Sequence, residues 1–147
     1  MPADEIVIEA VDEPTDEHVR ALAQLLPHLS SAPVPDFRRL HEIVSSGATR
    51  LLFAKVDGSL VGTLSLVIFT LPTGRRAWIE DVVVNPDFRG RGVASALVSE
   101  AVRLASAARC RTVDLTSRPD RVQANRLYER LGFERRITNV YRKSISG

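Results

Sequence analysis

Between Ile79 and Ala94 the chain passes from an apolar strand through a proline turn and a glycine-rich turn into an alanine-rich helix. The strand is Ile79 to Val84, Pro86 breaks it, Gly90 and Gly92 bend the chain, and Val93 and Ala94 open the helix. This junction constrains the fold more than any other stretch, because it commits the chain to a strand–helix crossover. It also concentrates main-chain donors. The first four N–H groups of a helix have no intrahelical partner, the helix dipole makes that end electropositive, and small residues let a ligand approach the backbone. The junction predicts a seat for a phosphate or pyrophosphate.

Three phosphate-binding patterns can be laid on this turn. The Walker pattern needs Gly-Lys-Ser/Thr, and no Lys lies here. The dinucleotide fingerprint Gly-x-Gly-x-x-Gly/Ala finds Gly90 and Gly92 but meets Ser95 at its third position, although Asp114 stands about where the ribose-binding acid would fall. Arg89-Gly90-Arg91-Gly92-Val93-Ala94 resembles instead the Arg/Gln-x-x-Gly-x-Gly/Ala signature of the GCN5-related N-acetyltransferase (GNAT) superfamily. A second block, Asn125-Arg126-Leu127-Tyr128-Glu129-Arg130-Leu131-Gly132-Phe133, is similar to that family's Asn-x-x-Tyr-x-x-x-Gly-Phe segment. The blocks stand in the family's order, one helix and one strand apart, and the resemblance covers roughly Ile6 to Ile145. It implies an acetyl-CoA-dependent N-acetyltransferase.

Composition agrees with one soluble domain. The 147 residues, 44% hydrophobic and 26% charged, suffice for one good core. The start, Met-Pro-Ala-Asp-Glu, is acidic and lacks the apolar run of a signal peptide. Leu60 to Leu71, the most apolar stretch, is too short to span a bilayer. Cys110 is the only cysteine, so no intrachain disulfide can form. These features predict a cytoplasmic protein without a membrane partner. Net charge is +2 but uneven: residues 1–36 hold eight acids and one Arg, residues 109–147 ten bases and four acids. The basic C-terminal part suits an anionic partner such as coenzyme A, which carries a 3′-phosphate as well as a pyrophosphate. With eight aromatic residues and no aromatic–basic stacking pattern, nucleic acid is not expected.

Periodicity predicts an α/β (α+β) chain: a mixed, mostly antiparallel twisted sheet flanked by four helices. Ile6 to Val11 reads as a strand, and Thr15 or Asp16 caps a helix to about Leu29. Asp36 caps a second helix that Gly47 ends. Asp57-Gly58 signals a hairpin between Arg50–Val56 and Leu60–Phe69. Pro72-Thr73-Gly74 turns the chain into a strand from Ala77 to Val84. A helix from Gly92 to Ala108, a strand from Thr112 to Thr116, a long helix from Pro119 to Gly132 and a closing strand from Arg136 to Ser144 complete the order. A dinucleotide-binding domain would alternate strand and helix throughout; the antiparallel meander does not.

The resemblance assigns roles. Val82, Val83 and Val84 offer backbone groups that hold the pantetheine arm like an added strand, one of them polarising the thioester carbonyl. Arg89, Gly90, Arg91, Gly92, Val93, Ala94 and Ser95 hold the pyrophosphate. Glu80, an acid on an otherwise apolar strand, is the candidate general base, on the expectation that partial burial raises its pKa. Asp81 is the alternative, pointing to the opposite face of a regular strand unless a bulge intervenes. Glu80-Asp81 before three valines resembles the glucosamine-6-phosphate N-acetyltransferase branch. Tyr128, protonated at neutral pH, is the candidate acid for the leaving thiolate, and Asn125, one turn earlier, contacts the pantetheine. Arg118, Arg121 and Arg126 are open to contact with the 3′-phosphate.

Other reactive residues carry less. His18, His28 and His41 lack metal-ligand spacing and read as solvated or helix-surface residues, so no metal is expected. Cys110 lacks a nearby His, and Trp78 either lines the acceptor pocket or packs in the sheet, with packing slightly favoured. Two other functions remain compatible: a non-catalytic acyl-CoA sensor on the same fold and a small dinucleotide-binding domain. The acceptor amine is not legible. Acids in the N-terminal helices favour a cationic amine, and the Glu80-Asp81 block an amino sugar. Whether the chain forms a homodimer is likewise open.

Overall fold

The computed structural model describes residues 5–146; the acidic stretch from Met1 to Asp4 lies outside them. In chain order the elements are β1 (Ile6–Ala10), α1 (Asp16–Leu25) with a 3-10 turn at Leu26–His28, α2 (Phe37–Ser45), β2 (Thr49–Val56), β3 (Ser59–Leu71), β4 (Gly74–Val84), a 3-10 turn at Pro86–Phe88, α3 (Val93–Ala107), β5 (Thr112–Asp114) and α4 (Val122–Arg130). They fall into two compact units, one reaching to Thr116 and the other starting at Ser117. The first holds all five strands with α1 to α3; the second holds α4.

Local chemistry sets the boundaries. Thr15 accepts from the His18 N–H, and the His18 ring accepts from the Thr15 N–H at 3.1 Å, a reciprocal cap for α1. The expected run to Leu29 stops as α-helix at Leu25, because Pro27 brings no N–H and enforces the tighter turn. Asp36 caps α2 through the Arg39 N–H at 2.8 Å. Asp57 and Gly58, at φ 49 and 78, make the two-residue turn between β2 and β3. His18, expected to be solvated or on a helix surface, lies in the first turn of α1 with its ring packed on Phe53, 5.1 Å between centroids.

β1 through β4 form an antiparallel meander, and α3 carries the chain to β5, which pairs parallel to β4. The sheet is therefore mixed and mostly antiparallel, without the alternating parallel strands of a dinucleotide-binding domain. The closing strand expected from Arg136 to Ser144 is absent: residues 134–146 form neither helix nor strand, and Ile137, Val140, Tyr141 and Ile145 are exposed. Those apolar residues do not alternate with period two, and a strand without hydrogen-bonded neighbours has nothing to hold it.

Register across the sheet locates a β-bulge. Phe53, Thr63 and Val83 form one rung across β2, β3 and β4; Leu51, Ser65 and Glu80 form another on the same face; Thr49, Val67 and Trp78 form the next. Each step on β3 is two residues, but the step from Val83 to Glu80 on β4 is three. One extra residue is thus inserted, and Asp81 there takes φ 54.

The two faces bury different cores. Leu51, Phe53 and Val83 pack with Ala21, Leu22 and Leu25 of α1 and Leu40 of α2. The opposite face buries Leu52, Ala54, Leu64, Leu66, Ala77 and Ile79, and α3 contributes Val93, Leu97, Val98, Ala101 and Ala105. α3 comes close because β3 has no side chain at Gly62. A Cβ there would lie 3.1 Å from Val93 Cγ1, 3.2 Å from Leu97 Cδ1 and 3.3 Å from the Val83 carbonyl. Gly62→Ala is therefore expected to destabilise the fold by about 1–3 kcal/mol through overpacking, read as a lower denaturant midpoint; an unchanged midpoint would mean that α3 sits further from the sheet.

Candidate active site

The bulge brings Glu80 onto the face of the sheet that carries α1 and α2. Its carboxylate accepts from the Trp78 indole N–H, Nε1 to Oε1 2.6 Å. Trp78, which the sequence left between packing and the acceptor pocket, is thus a hydrogen-bond donor. Glu80 is exposed rather than partly buried, and so is Asp81, but only Asp81 has a raised pKa. Burial raises the Asp81 carboxyl above its ordinary value of 3.8, and the Glu80 charge adds to the rise. β5 places Asp114 in register with Trp78. Neighbouring residues in register share a face, so Asp114 joins Trp78 and Glu80. Sequence reasoning met Asp114 only as a ribose acid, because a parallel register is not written locally.

Beyond Trp78 the two parallel strands part. β4 pairs with β5 only through Arg76, Ala77 and Trp78, then continues to Val84. From Ile79 onward the β5-facing edge of β4 has no strand partner among the described residues. Val82, Val83 and Val84 lie on this released edge; Val83 and Val84 bury their side chains, leaving the main chain to offer hydrogen bonds. A strand edge in this state can take an extended amide-bearing chain, as pantetheine is.

The edge leads into the turn. The Asn85 side chain accepts from the Asp87 N–H at 3.0 Å and holds the Pro86–Phe88 turn. Gly90 and Gly92 take φ 76 and 84, conformations that side-chain-bearing residues resist. Gly92 caps α3 without any side-chain hydrogen bond, and the first helical bond runs from the Ala96 N–H to the Gly92 carbonyl. The N–H groups of Val93, Ala94 and Ser95 accordingly precede the helical ladder, the arrangement that receives a phosphate group. Around Gly90 nothing lies within 4 Å of where a Cβ would stand. Arg89 is exposed, and the Arg91 guanidinium stacks over Phe88 at 5.0 Å.

The second unit holds the remaining pair. α4 begins at Val122 rather than Pro119, after a turn in which the Arg121 N–H bonds to the Arg118 carbonyl. The Asn125 amide donates to that same carbonyl at 3.0 Å, so Asn125 fixes the entry to its own helix. Tyr128 stands edge-on to Phe133 with 6.0 Å between centroids. Gly132, at φ 92, lets the Phe133 N–H return to the Tyr128 carbonyl at 2.9 Å. Burial raises the Tyr128 pKa, and Arg121 offsets part of the rise. The phenol stays protonated at neutral pH and able to donate.

Among the described residues no group of three His, Cys, Asp or Glu side chains could hold a metal ion, and no helix is long and apolar enough to cross a membrane. A cavity of about 270 Å³ lined by Val11, Asp12, Ser45, Ser46 and Arg50 contains none of the residues above.

A sheet whose parallel pair splays beside a bulge, followed by an uncapped helix start, fits the acyl-CoA-dependent acyltransferase that the sequence resemblance implies. Comparison with known proteins agrees. The acetyltransferase (GNAT) family profile matches residues 16–133. The chain is 34% identical over 122 residues to the glucosamine 6-phosphate N-acetyltransferase of Trypanosoma brucei brucei, a match spanning 75% of this chain and 78% of that protein. It is 35% identical over 83 residues to an acetyltransferase of Pectobacterium atrosepticum, 56% of each chain. Its fold superposes with a TM-score of 0.80 on an acetyltransferase of Trypanosoma brucei, 23% identical, covering 95% of this chain and 100% of the other. The TM-score is 0.81 with an aminoglycoside N-acetyltransferase solved in complex with CoA, 20% identical, covering 97% of each. The chain belongs to the acetyltransferase (GNAT) family. It is an N-acetyltransferase, with acetyl-CoA as cosubstrate.

The sign of the Asp81 shift makes a stability prediction. A carboxyl whose folded pKa lies above its unfolded 3.8 binds its proton more tightly when folded. Its contribution is therefore fully present below that value and is lost as pH rises through the folded pKa. Asp81→Asn, which keeps a residue tolerant of positive φ, is expected to raise the thermal midpoint at neutral pH and to lose that advantage on acidification to pH 3.8 and below. A variant no more stable than wild type at neutral pH would contradict the raised Asp81 pKa.

Proposed function

We propose that the protein moves the acetyl group of acetyl-CoA directly to the primary amine of an amino sugar, with Asp81 as base, Glu80 as the carboxylate that binds the acceptor and Tyr128 as acid. The observation that carries the cosubstrate half is the released edge of β4 running straight into the uncapped start of α3. The acceptor half is supported by the relative named for glucosamine 6-phosphate and by the carboxylates gathered around the bulge. The family profile runs from residue 16 to residue 133, which supports reading both units as one acetyltransferase domain.

A sugar ammonium must lose a proton before its nitrogen can attack. Asp81 accepts that proton, directly or through a water, and its raised pKa brings it nearer the range useful to a base. As the nitrogen bonds to the acetyl carbon, the main-chain N–H groups of Val82 to Val84 supply the donor that meets the developing oxyanion. The carbon–sulfur bond breaks, Tyr128 gives its hydroxyl proton to the departing thiolate, and the second proton that the nitrogen sheds as the amide forms passes through solvent and restores the phenol. The turn from Arg89 to Ser95 binds the pyrophosphate throughout and takes no part in the proton transfers. Asn125 and the arginines Arg118, Arg121 and Arg126 supply further contacts to the cosubstrate.

Thiol release from acetyl-CoA, measured against glucosamine 6-phosphate, glucosamine, a polyamine and a lysine peptide, tests this reading. The sugar amines are expected to give the highest kcat/KM. Coenzyme A binding by calorimetry without turnover of any amine would favour a sensor instead. Asp81→Asn and Tyr128→Phe are each expected to lower kcat by roughly 10²–10⁴-fold, with the acidic limb of the wild-type profile lying above the ordinary Asp value; full kcat in both variants would remove these roles. Gly92→Ala places a Cβ at φ 84, a strain of about 1–2 kcal/mol, and is expected to raise the KM for acetyl-CoA with little change in that of the acceptor.

A further inference from the structure

We propose that the Trp78 indole N–H is a positioning group for Glu80: it fixes the carboxylate that receives the acceptor and so sets acceptor affinity without touching the reacting atoms. The proposal rests on the role given to Glu80 above and adds a residue to which the sequence gives no such role. The two side chains are two residues apart on one face of β4, and they meet at 2.6 Å, a short contact of the charge-assisted kind. Trp78 is a stiff partner. Its backbone is paired on both sides, with Val67 of β3 and Asp114 of β5, and its ring is half-buried. Glu80 by contrast is exposed, and its long side chain would otherwise sample several rotamers.

An acceptor that binds a free glutamate has to order it; one that binds a held glutamate does not. The indole uses one of the roughly four acceptor sites of the carboxylate, which leaves the others for an ammonium or a sugar hydroxyl. Asp114 shares the Trp78 rung, yet the indole hydrogen goes to Glu80. The clamp therefore selects one carboxylate of the three near the bulge.

Trp78 is the only tryptophan, so tryptophan emission reports on the surroundings of this ring. Wild type, Trp78→Phe, Glu80→Ala and the double variant of the full chain are compared with glucosamine 6-phosphate as acceptor. Trp78→Phe keeps a ring and loses the N–H. It is expected to raise the acceptor KM about tenfold, the size of one charge-assisted hydrogen bond, while kcat and the KM for acetyl-CoA stay within about twofold. In the Glu80→Ala background, where no acceptor for the indole remains at this position, it should add nothing. Glu80→Ala should shift the tryptophan emission of the substrate-free protein. An unchanged acceptor KM in Trp78→Phe, full additivity in the double variant, or unaltered emission in Glu80→Ala each overturns the clamp. Wild-type protein that acetylates no amine overturns the function and with it the role of Glu80, while an emission shift in Glu80→Ala would still support the contact itself.

Discussion

Between Glu80 and Val83 the strand β4 carries two residues where β3 carries one, and most of the site follows from that mismatch. Without the insertion, residues 81 and 83 would share a face, and Glu80 would turn toward α3. With it, Val83 enters the core beneath α1 and α2 while Glu80 stands on the same face three residues earlier. The bulge leaves Asp81 at φ 54, a conformation that costs about 1 kcal/mol for a residue with a side chain and less for Asp than for most. The anchors on either side offset that cost. Ile79 is buried on one face, and Val83 and Val84 are buried just after the insertion, each worth about 1.5–3 kcal/mol when fully covered. The strain is local and the anchoring is not, so the carboxylates are held by the core.

The phosphate-seating turn depends on the same sheet. α3 can present its first N–H groups to a ligand only if its own position is fixed, and Val93, the first residue of the helix, packs against the backbone at Gly62. Gly62 in turn pairs with Val84, the last residue of β4. The end of β4 and the start of α3, the two stretches proposed to meet the thioester and the pyrophosphate, therefore meet at one glycine. The spacing between them is set there by close packing, which deforms little.

What could be read from the sequence was what is encoded within a few residues. Asp57-Gly58 marks its hairpin because both positions need positive φ, and Gly90 and Gly92 mark their turn for the same reason. Pro27 carried its signal too, but the apolar spacing through Leu29 concealed it. The bulge had no such mark: Glu-Asp-Val-Val-Val contains neither Gly nor Pro, and its register is decided by β3. Asp114 joins Trp78 only through a parallel pairing across a whole helix. The strand expected from Arg136 to Ser144 failed for the converse reason. Its composition suited a strand, but strands are defined by partners, and composition does not supply one. Trp78 with Glu80 was within reach of reading, since side chains two apart on a strand share a face and an indole N–H seeks an acceptor.

Adjacent carboxylates explain why the sequence alone could not choose the base. In a regular strand the two would face opposite ways and titrate independently, and the more buried one would be found by asking which side carries the core. The bulge removes that separation and lets the charges feel each other. Burial raises the Asp81 carboxyl above its ordinary value, and the Glu80 charge beside it adds to the rise, so Asp81 binds a proton more tightly. In the proposed mechanism a negative Glu80 helps to make Asp81 the better proton acceptor while remaining available to a cationic acceptor itself. An ammonium bound to Glu80 would offset the charge that adds to the Asp81 rise, so acceptor binding and base strength would be coupled through one pair of side chains, which the inserted residue in β4 brings within range.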